Sequence, residues 1–189
     1  DMTDFLDHEE ICAPTAAYLL YRIERVVDGR RFLMSCDEFR AYLLDPQFAA
    51  VIDRFLLTVR KSNGMLILAT QQPEHVMESK LGSSLVAQCM TKILYPSPTA
   101  SRKAYIEDLK CTEGEYRAVR EEMIGDPKRF LLKRENGSVI CEFDLSSMPE
   151  YIAVLSGRAN RANFAEKLRE EYGTDWLPHF LARYHEATD

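Results

Sequence analysis

The feature that most constrains the fold is a pair of short apolar runs separated by one amphipathic helix. The runs cover residues 31–36 and 65–69, and polar residues follow each of them. Between them, apolar side chains recur at helical spacing over residues 47–62: Phe48, Val51, Ile52, Phe55, Leu56 and Val59. Parallel strands need a crossover connection of this kind, so the pattern predicts a parallel βαβ unit and an α/β fold class.

The residues that follow the two runs are candidates for catalysis. Asp37 and Glu38 come directly after the first run, and Gln71 follows the second. In a parallel sheet the carboxyl ends of the strands meet at one edge, where we expect these side chains to lie together. Asp37 suits the binding of Mg²⁺ through its water shell, and Glu38 suits the orientation of an attacking water. Gln71 suits sensing of a γ-phosphate.

A purely structural interpretation of the same residues stays open. An acid pair after a strand is often only a solvated strand end, and Gln71 is then an exposed loop residue.

Three cations are candidates for stabilising a transferred phosphoryl group: Arg60, Lys61 and Arg158. Such positive charge often comes from a neighbouring subunit. The alternative for Arg60 and Lys61 is favourable charge at a helix C-terminus. The alternative for Arg158 is an ordinary residue at a helix start.

Further elements follow from capping and turn signals. Asn136-Gly137 between two strand-like runs predicts a β-hairpin, and Thr112 with Glu115 predicts a capping box. The predicted helices cover residues 14–27 (starting at Pro14 and ending at Asp28-Gly29), 101–109, 112–123, 158–172 and 175–186, and the further strands cover 91–95, 129–134 and 139–143.

Composition narrows the classes of function. The net charge of −6 disfavours nucleic acid as the main partner, although a local basic patch would still permit it. Five cysteines without a CxxC motif predict free thiols in a reducing compartment, and the four histidines form no ligand cluster with them. No apolar run reaches the roughly 20 residues of a membrane helix, and no signal peptide is visible.

A series of motifs along the chain resembles one family. In order they are Cys36-Asp37-Glu38-Phe39, Asp45-Pro46-Gln47-Phe48, Arg60-Lys61-Ser62-Asn63-Gly64, Leu68-Ala69-Thr70-Gln71-Gln72, Thr91-Lys92-Ile93-Leu94-Tyr95-Pro96-Ser97-Pro98, Leu155-Ser156-Gly157-Arg158 and Trp176-Leu177-Pro178. This series resembles the large energising ATPase of type IV (conjugation-type) secretion systems. The resemblance covers nearly the whole chain.

The resemblance implies part of a RecA-like P-loop NTPase core with a β-hairpin and C-terminal helices. Residues 1–100 would be the C-terminal portion of that core, and residues 101–189 an extension that completes the motor domain. ATP and Mg²⁺ are the implied cofactors. The implied place is the cytoplasmic face of the bacterial inner membrane, where oligomers of the ATPase would meet secretion-channel and coupling proteins in pilus biogenesis and transport of protein or DNA.

The resemblance also assigns roles to residues. Asp37 and Glu38 match the Walker B pair, and Gln71 matches the sensor glutamine. Arg60 and Arg158 match family arginines that face a nucleotide across a subunit boundary. Phe39, Arg40 and Gln72 depart from the commoner family residues, and none of these departures removes a charge that the chemistry needs.

The Walker A motif, G-x-x-x-x-G-K-[ST], is absent from the sequence. Because the chain also begins at Asp1 rather than Met, we expect a piece of a longer protein whose phosphate loop lies upstream. The outer edge of the 65–69 strand would then be unpaired, and we expect the isolated chain to oligomerise or to rearrange around that edge. We also expect the isolated chain not to hydrolyse ATP.

Two other functions remain open at this point. One is a DNA-translocating motor or coupling protein of the same superfamily, which salt-sensitive DNA binding would reveal. The other is a non-catalytic docking module in which residues 101–189 grip the secretion machine.

Overall fold

The computed structural model describes residues 9–43 and 46–187. Within them the fold is mixed α/β, with a two-stranded parallel sheet and a three-stranded antiparallel sheet. The chain forms two compact units that divide between Cys141 and Glu142. The division of the motor domain at residue 100 stays a prediction.

The first unit opens with the predicted βαβ arrangement. Its elements are α1 (Glu9–Val26), β1 (Phe32–Cys36), α2 (Phe39–Leu43), α3 (Pro46–Thr58), a 3₁₀ turn (Val59–Ser62), β2 (Gly64–Leu68), α4 (Pro73–Met77) and α5 (Gly82–Gln88). Strands β1 and β2 pair in parallel, from Phe32 opposite Gly64 to Cys36 opposite Leu68. The parallel βαβ prediction is therefore confirmed. Helix α1 begins at Glu9 rather than at the predicted start, Pro14. Pro14 therefore lies within the first two turns of the helix, where it has no backbone N–H to donate.

Asn63 and Gly64 end the crossover helix and start β2, as the sequence predicts. Asn63 adopts the left-handed conformation, with φ of 57°, and its side-chain amide donates to the carbonyl of Gly29 at 2.8 Å. A Cβ at Gly64 would overlap the ring of Phe32 and the side chain of Val59. The amino ends of the two strands are thus held together by an Asn that tolerates positive φ and a Gly that permits close packing.

One face of the parallel sheet packs on the core. Buried residues Cys36, Phe39, Ile52, Leu56, Val76 and Leu85 form this core, and Met34, Leu66 and Leu68 pack against it. On the opposite face Leu33 and Met65 are each 57% exposed. Within the described residues β2 has no strand on its outer edge. That edge is open as predicted, and the oligomerisation or rearrangement expected from it stays a prediction.

The rest of the first unit is built around the antiparallel sheet. Its elements are β3 (Lys92–Leu94), a π-helical segment (Lys103–Asp108), α6 (Glu113–Arg117), a second π-helical segment (Ala118–Glu122), β4 (Arg129–Arg134) and β5 (Gly137–Glu142). The strand order is β3-β4-β5, and Ile93 on β3 lies opposite Leu132 on β4. The hairpin predicted from Asn136-Gly137 is confirmed.

The predicted capping box at α6 is also confirmed. The hydroxyl of Thr112 accepts from the N–H of Glu115 at 3.2 Å, and the Glu115 carboxylate accepts from the N–H of Thr112 at 2.8 Å. The same carboxylate oxygen accepts from Nζ of Lys133 at 2.7 Å, which ties α6 to β4. Burial alone would raise the pKa of the Glu115 carboxyl, but the hydrogen bonds from Lys133 and Thr112 outweigh it and lower the pKa.

The lowered pKa of Glu115 predicts a loss of stability in acid. A carboxyl with a depressed folded-state pKa stabilises the fold above its unfolded value of about 4.3 and loses that contribution as the pH falls through the folded value. Urea unfolding followed by far-UV circular dichroism should therefore show a larger loss of stability between pH 6 and pH 3 in the unaltered chain than in Lys133→Met. Equal losses in both would contradict the assignment.

The second unit is a small helical cluster. Its elements are α7 (Pro149–Leu155), α8 (Ala159–Tyr172), a 3₁₀ turn (Gly173–Asp175), α9 (Trp176–Arg183) and a closing 3₁₀ turn (Tyr184–Glu186). Ala153, Leu168 and Phe180 form its buried core. The two predicted closing helices are confirmed, and Gly173 separates them with φ of 57°. Helix α7 was not predicted, because seven residues give too short a periodic pattern.

The structure also bears on two expectations that come from composition, the state of the cysteines and the lack of a membrane helix. Cys36, Cys89, Cys111 and Cys141 are free thiols, as predicted for that part of the cysteine set. Among the helices that the structure describes, none combines the length and the apolar character needed to cross a bilayer.

Candidate active site

The candidate site lies at the carboxyl ends of β1 and β2. The sheet pairing continues past both strands, because the N–H of Ala69 donates to the carbonyl of Cys36 at 2.9 Å and the N–H of Phe39 donates to the carbonyl of Ala69 at 2.8 Å. These two hydrogen bonds hold the segment after β1 against the segment after β2. The predicted residues of both segments therefore lie at one edge of the sheet.

Glu38 and Gln71 are in direct contact at this edge. The side-chain amide of Gln71 donates to the carboxylate of Glu38, although the two residues are 33 positions apart in the sequence. Both side chains are exposed to solvent. The juxtaposition predicted from the parallel unit is confirmed, and it places a carboxylate and a neutral amide where both can reach one bound group.

The backbone at Glu38 is unusual for a residue with a side chain. Its φ is 47°, in the left-handed region that costs roughly 1–2 kcal/mol for a residue with a Cβ. Oδ1 of Asp37 accepts from the N–H of Glu38 at 2.9 Å, and the pairing of Phe39 with Ala69 fixes the next peptide. Strain of this kind that the surroundings maintain is frequent at active sites.

Burial disfavours a nucleophilic role for the thiol that neighbours the site. Cys36 is buried, and burial raises the pKa of its thiol. The thiol therefore stays protonated at neutral pH, whereas nucleophilic cysteines need a lowered pKa. Phe39 on the other side of the acid pair is almost fully buried, so the two exposed acids lie between two buried anchors.

Arg60 and Lys61 do not join the acid pair within one chain. Both are exposed in the 3₁₀ turn that precedes β2, at the amino end of the strand. The five residues of β2 separate this end from the Gln71 end by roughly 13 Å at about 3.3 Å per residue. A contact of either cation with a nucleotide of a neighbouring subunit stays a prediction.

Arg158 belongs to the second unit, where it precedes α8. Its side chain is exposed, its N–H donates to the hydroxyl of Ser156 at 3.4 Å, and its carbonyl accepts from Ala162 at 3.0 Å. These contacts fit the alternative interpretation of a helix-start residue. The contact of Arg158 with a nucleotide stays a prediction.

The donor set suits a hard cation that is bound partly through water. Asp37 and Glu38 offer carboxylate oxygens, which Mg²⁺ prefers, and both are exposed. Across the described ranges no group of three or more His, Cys, Asp or Glu side chains is placed to hold a metal. Mg²⁺ is usually held by one or two carboxylates together with waters and phosphates.

Sequence reasoning missed how the site is held in place. Neither the left-handed backbone of Glu38 nor the Asp37 cap on its N–H is visible in the sequence, because positive φ is normally signalled by Gly or Asn. The pairing of Phe39 with Ala69 depends on the register of two distant segments, and no local pattern encodes it.

Comparison with known proteins identifies relatives of this chain by sequence. Over 192 residues the chain is 69% identical to the protein virB4 of Agrobacterium fabrum, and the match covers all of this chain. The chain is homologous to a segment of VirB4. It is also 41% identical over 186 residues, 97% of the chain, to the type IV secretion system protein virB4 of Bartonella henselae. It is 38% identical over 192 residues, again the whole chain, to the type IV secretion system protein PtlC of Bordetella pertussis.

The homology confirms the resemblance to type IV secretion proteins. No family model matches the chain. The chain spans 24% of the length of the two VirB4 relatives and 23% of PtlC. The aligned part therefore corresponds to about a quarter of each relative.

Proposed function

We propose that this chain supplies the catalytic acids and the nucleotide-sensing amide of an ATPase that energises type IV secretion. The observation that carries the proposal is the contact between Glu38 and Gln71 at the carboxyl ends of two parallel strands. Ligands of open α/β sheets bind at that edge. The homology to type IV secretion proteins supports a place in the same machinery.

The roles of the side chains follow from their chemistry. Asp37 would hold Mg²⁺ through its water shell, and Mg²⁺ would neutralise charge on the phosphates of ATP. The Glu38 carboxylate would accept a proton from the attacking water and orient it. The Gln71 amide contacts the same carboxylate, and it would exchange that contact for a γ-phosphate oxygen when ATP binds. Gln71 would thereby link the presence of ATP to the position of Glu38.

The positive charge that phosphoryl transfer needs would come from another copy. Arg60 and Lys61 lie at the opposite end of β2 from Gln71, so they would serve a neighbouring subunit, and Arg158 is the further candidate. The active form would then be an oligomer whose subunits each contain a RecA-like core. We place it on the cytoplasmic face of the bacterial inner membrane, against secretion-channel and coupling proteins, where it would power pilus biogenesis and the transport of protein or DNA.

The test is Mg²⁺-dependent ATP hydrolysis by two purified proteins. The complete polypeptide that carries this chain is expected to hydrolyse ATP, and the 189-residue chain is not, because it has no G-x-x-x-x-G-K-[ST] loop to hold the phosphates. Turnover by the isolated chain would contradict the assignment of the phosphate loop to another segment. No turnover by the complete polypeptide would refute the proposed function.

A further inference from the structure

Two Asn-Gly pairs lie at matching places in the fold. Asn63-Gly64 stands at the start of β2 and Asn136-Gly137 at the start of β5, and in each pair the glycine is the first residue of the strand. Asparagine is a chemically labile residue. Before glycine it readily loses its side-chain amide, because glycine has no Cβ to hinder attack by its own backbone nitrogen. The local sequence therefore gives both asparagines the same chemistry, and the surrounding structure decides which of them reacts.

The first pair is held in place on both sides. The side-chain amide of Asn63 donates to the carbonyl of Gly29 at 2.8 Å. Gly64 lies opposite Phe32 in the parallel sheet, and a Cβ at Gly64 would overlap the ring of Phe32. Deamidation requires the nitrogen of Gly64 to reach Cγ of Asn63. That movement would break the contact with Gly29 and pull the first residue of β2 out of the packed sheet.

The second pair has none of these restraints. Asn136 and Gly137 are both exposed, at the turn between β4 and β5. Within residues 9–43 and 46–187 no hydrogen bond holds the Asn136 side chain. A Cβ at Gly137 would meet no atom of the described chain within 4 Å beyond its two neighbours. Exposed turns open locally at little cost in free energy, so the Gly137 nitrogen can approach Cγ of Asn136.

We propose that Asn136 is a site of spontaneous deamidation and that the fold protects Asn63 from the same reaction. The Gly137 nitrogen gives its proton to base and attacks Cγ of Asn136. A C–N bond forms, and the side-chain nitrogen of Asn136 leaves as ammonia. Water then opens the cyclic imide at either carbonyl, which gives aspartate or isoaspartate. Both products add a negative charge to the turn, and isoaspartate also adds a methylene to the backbone.

Peptide mapping of the complete polypeptide compares the two sites. The protein is incubated in mildly alkaline buffer and digested with trypsin, which releases Asn136 in residues 135–158 and Asn63 in residues 62–80, each peptide with a single asparagine. Mass spectrometry detects deamidation as a gain of one mass unit, and an unincubated sample gives the background from digestion. We expect Asn136 to react at least about tenfold faster than Asn63, because Asn63 reacts only in locally opened molecules. Isoaspartate in the 135–158 peptide is counted by enzymatic methylation of its free α-carboxyl group.

The same incubation in guanidinium chloride is the matched control. Once the fold is lost, the two asparagines should react at similar rates. An Asn136 that reacts no faster than Asn63 in the folded protein would overturn the proposal. A difference that persists undiminished in the denaturant would also overturn it, because that difference would come from the preceding residues, Ser62 and Glu135, rather than from the fold.

Discussion

Glu38→Gln in the complete polypeptide is expected to keep nucleotide binding and to lose about a hundredfold in ATP turnover. That factor corresponds to about 2.7 kcal/mol of transition-state stabilisation. The substitution preserves shape, and its amide oxygen can still accept from Gln71, so the contact between the two strand ends survives. What is lost is the ability to accept a proton from the attacking water.

The readouts are equilibrium binding of Mg-ATP and steady-state release of phosphate, measured on the same preparations. Glu121→Gln is the matched control, because Glu121 is an exposed carboxylate in the second π-helical segment, away from β1 and β2. Its turnover should equal that of the unaltered protein. Unchanged turnover in Glu38→Gln would mean that the acid pair is structural, and the proposed mechanism would fail.

Ile52→Ala is expected to destabilise the first unit by about 2–5 kcal/mol. Ile52 is 0% exposed on α3, the crossover helix, and packs in the core beneath the parallel sheet. Removing its side chain leaves a cavity between α3 and the strands that position Glu38 and Gln71. Leu57→Ala on the same helix is the matched control, because Leu57 is 57% exposed, and it should change stability by no more than about 0.5 kcal/mol.

The readout for this comparison has to report on the first unit. Trp176, the single tryptophan, lies in the second unit, so its fluorescence would follow the wrong part of the chain. Native-state hydrogen exchange of the β1 and β2 amides measures the free energy of opening where the cavity is made. Equal protection of these amides in Ile52→Ala and Leu57→Ala would show that α3 does not hold the parallel sheet together.

Local patterns were sufficient for the elements that carry a strong periodic or capping signal. The apolar spacing from Phe48 to Val59 predicted the crossover helix, and Thr112 with Glu115 predicted both hydrogen bonds of the capping box. The short helix Pro149–Leu155 escaped prediction, because a two-turn element draws its stability from the buried contact of Ala153 rather than from its own sequence.

For the candidate site, the sequence alone determined which chemical groups come together. The sequence has a strand followed by Asp37-Glu38, then a crossover helix, then a strand followed by Thr70-Gln71. Because the handedness and direction of such a connection are fixed, it can place those groups only at one edge of a parallel sheet. The order along the chain also puts Arg60 and Lys61, which precede β2, at the opposite end of that strand from Gln71, which follows it.

The tertiary structure alone decided how those groups are held. The left-handed backbone of Glu38 persists because Asp37 caps its N–H and because Phe39 is anchored both in the core and on the carbonyl of Ala69. The Asp37 cap is a contact between neighbours, but the pairing of Phe39 with Ala69 joins segments 30 residues apart and the anchoring of Phe39 depends on burial in the core. A strained conformation is disfavoured by the residue's own preferences, so only the surrounding packing can select it.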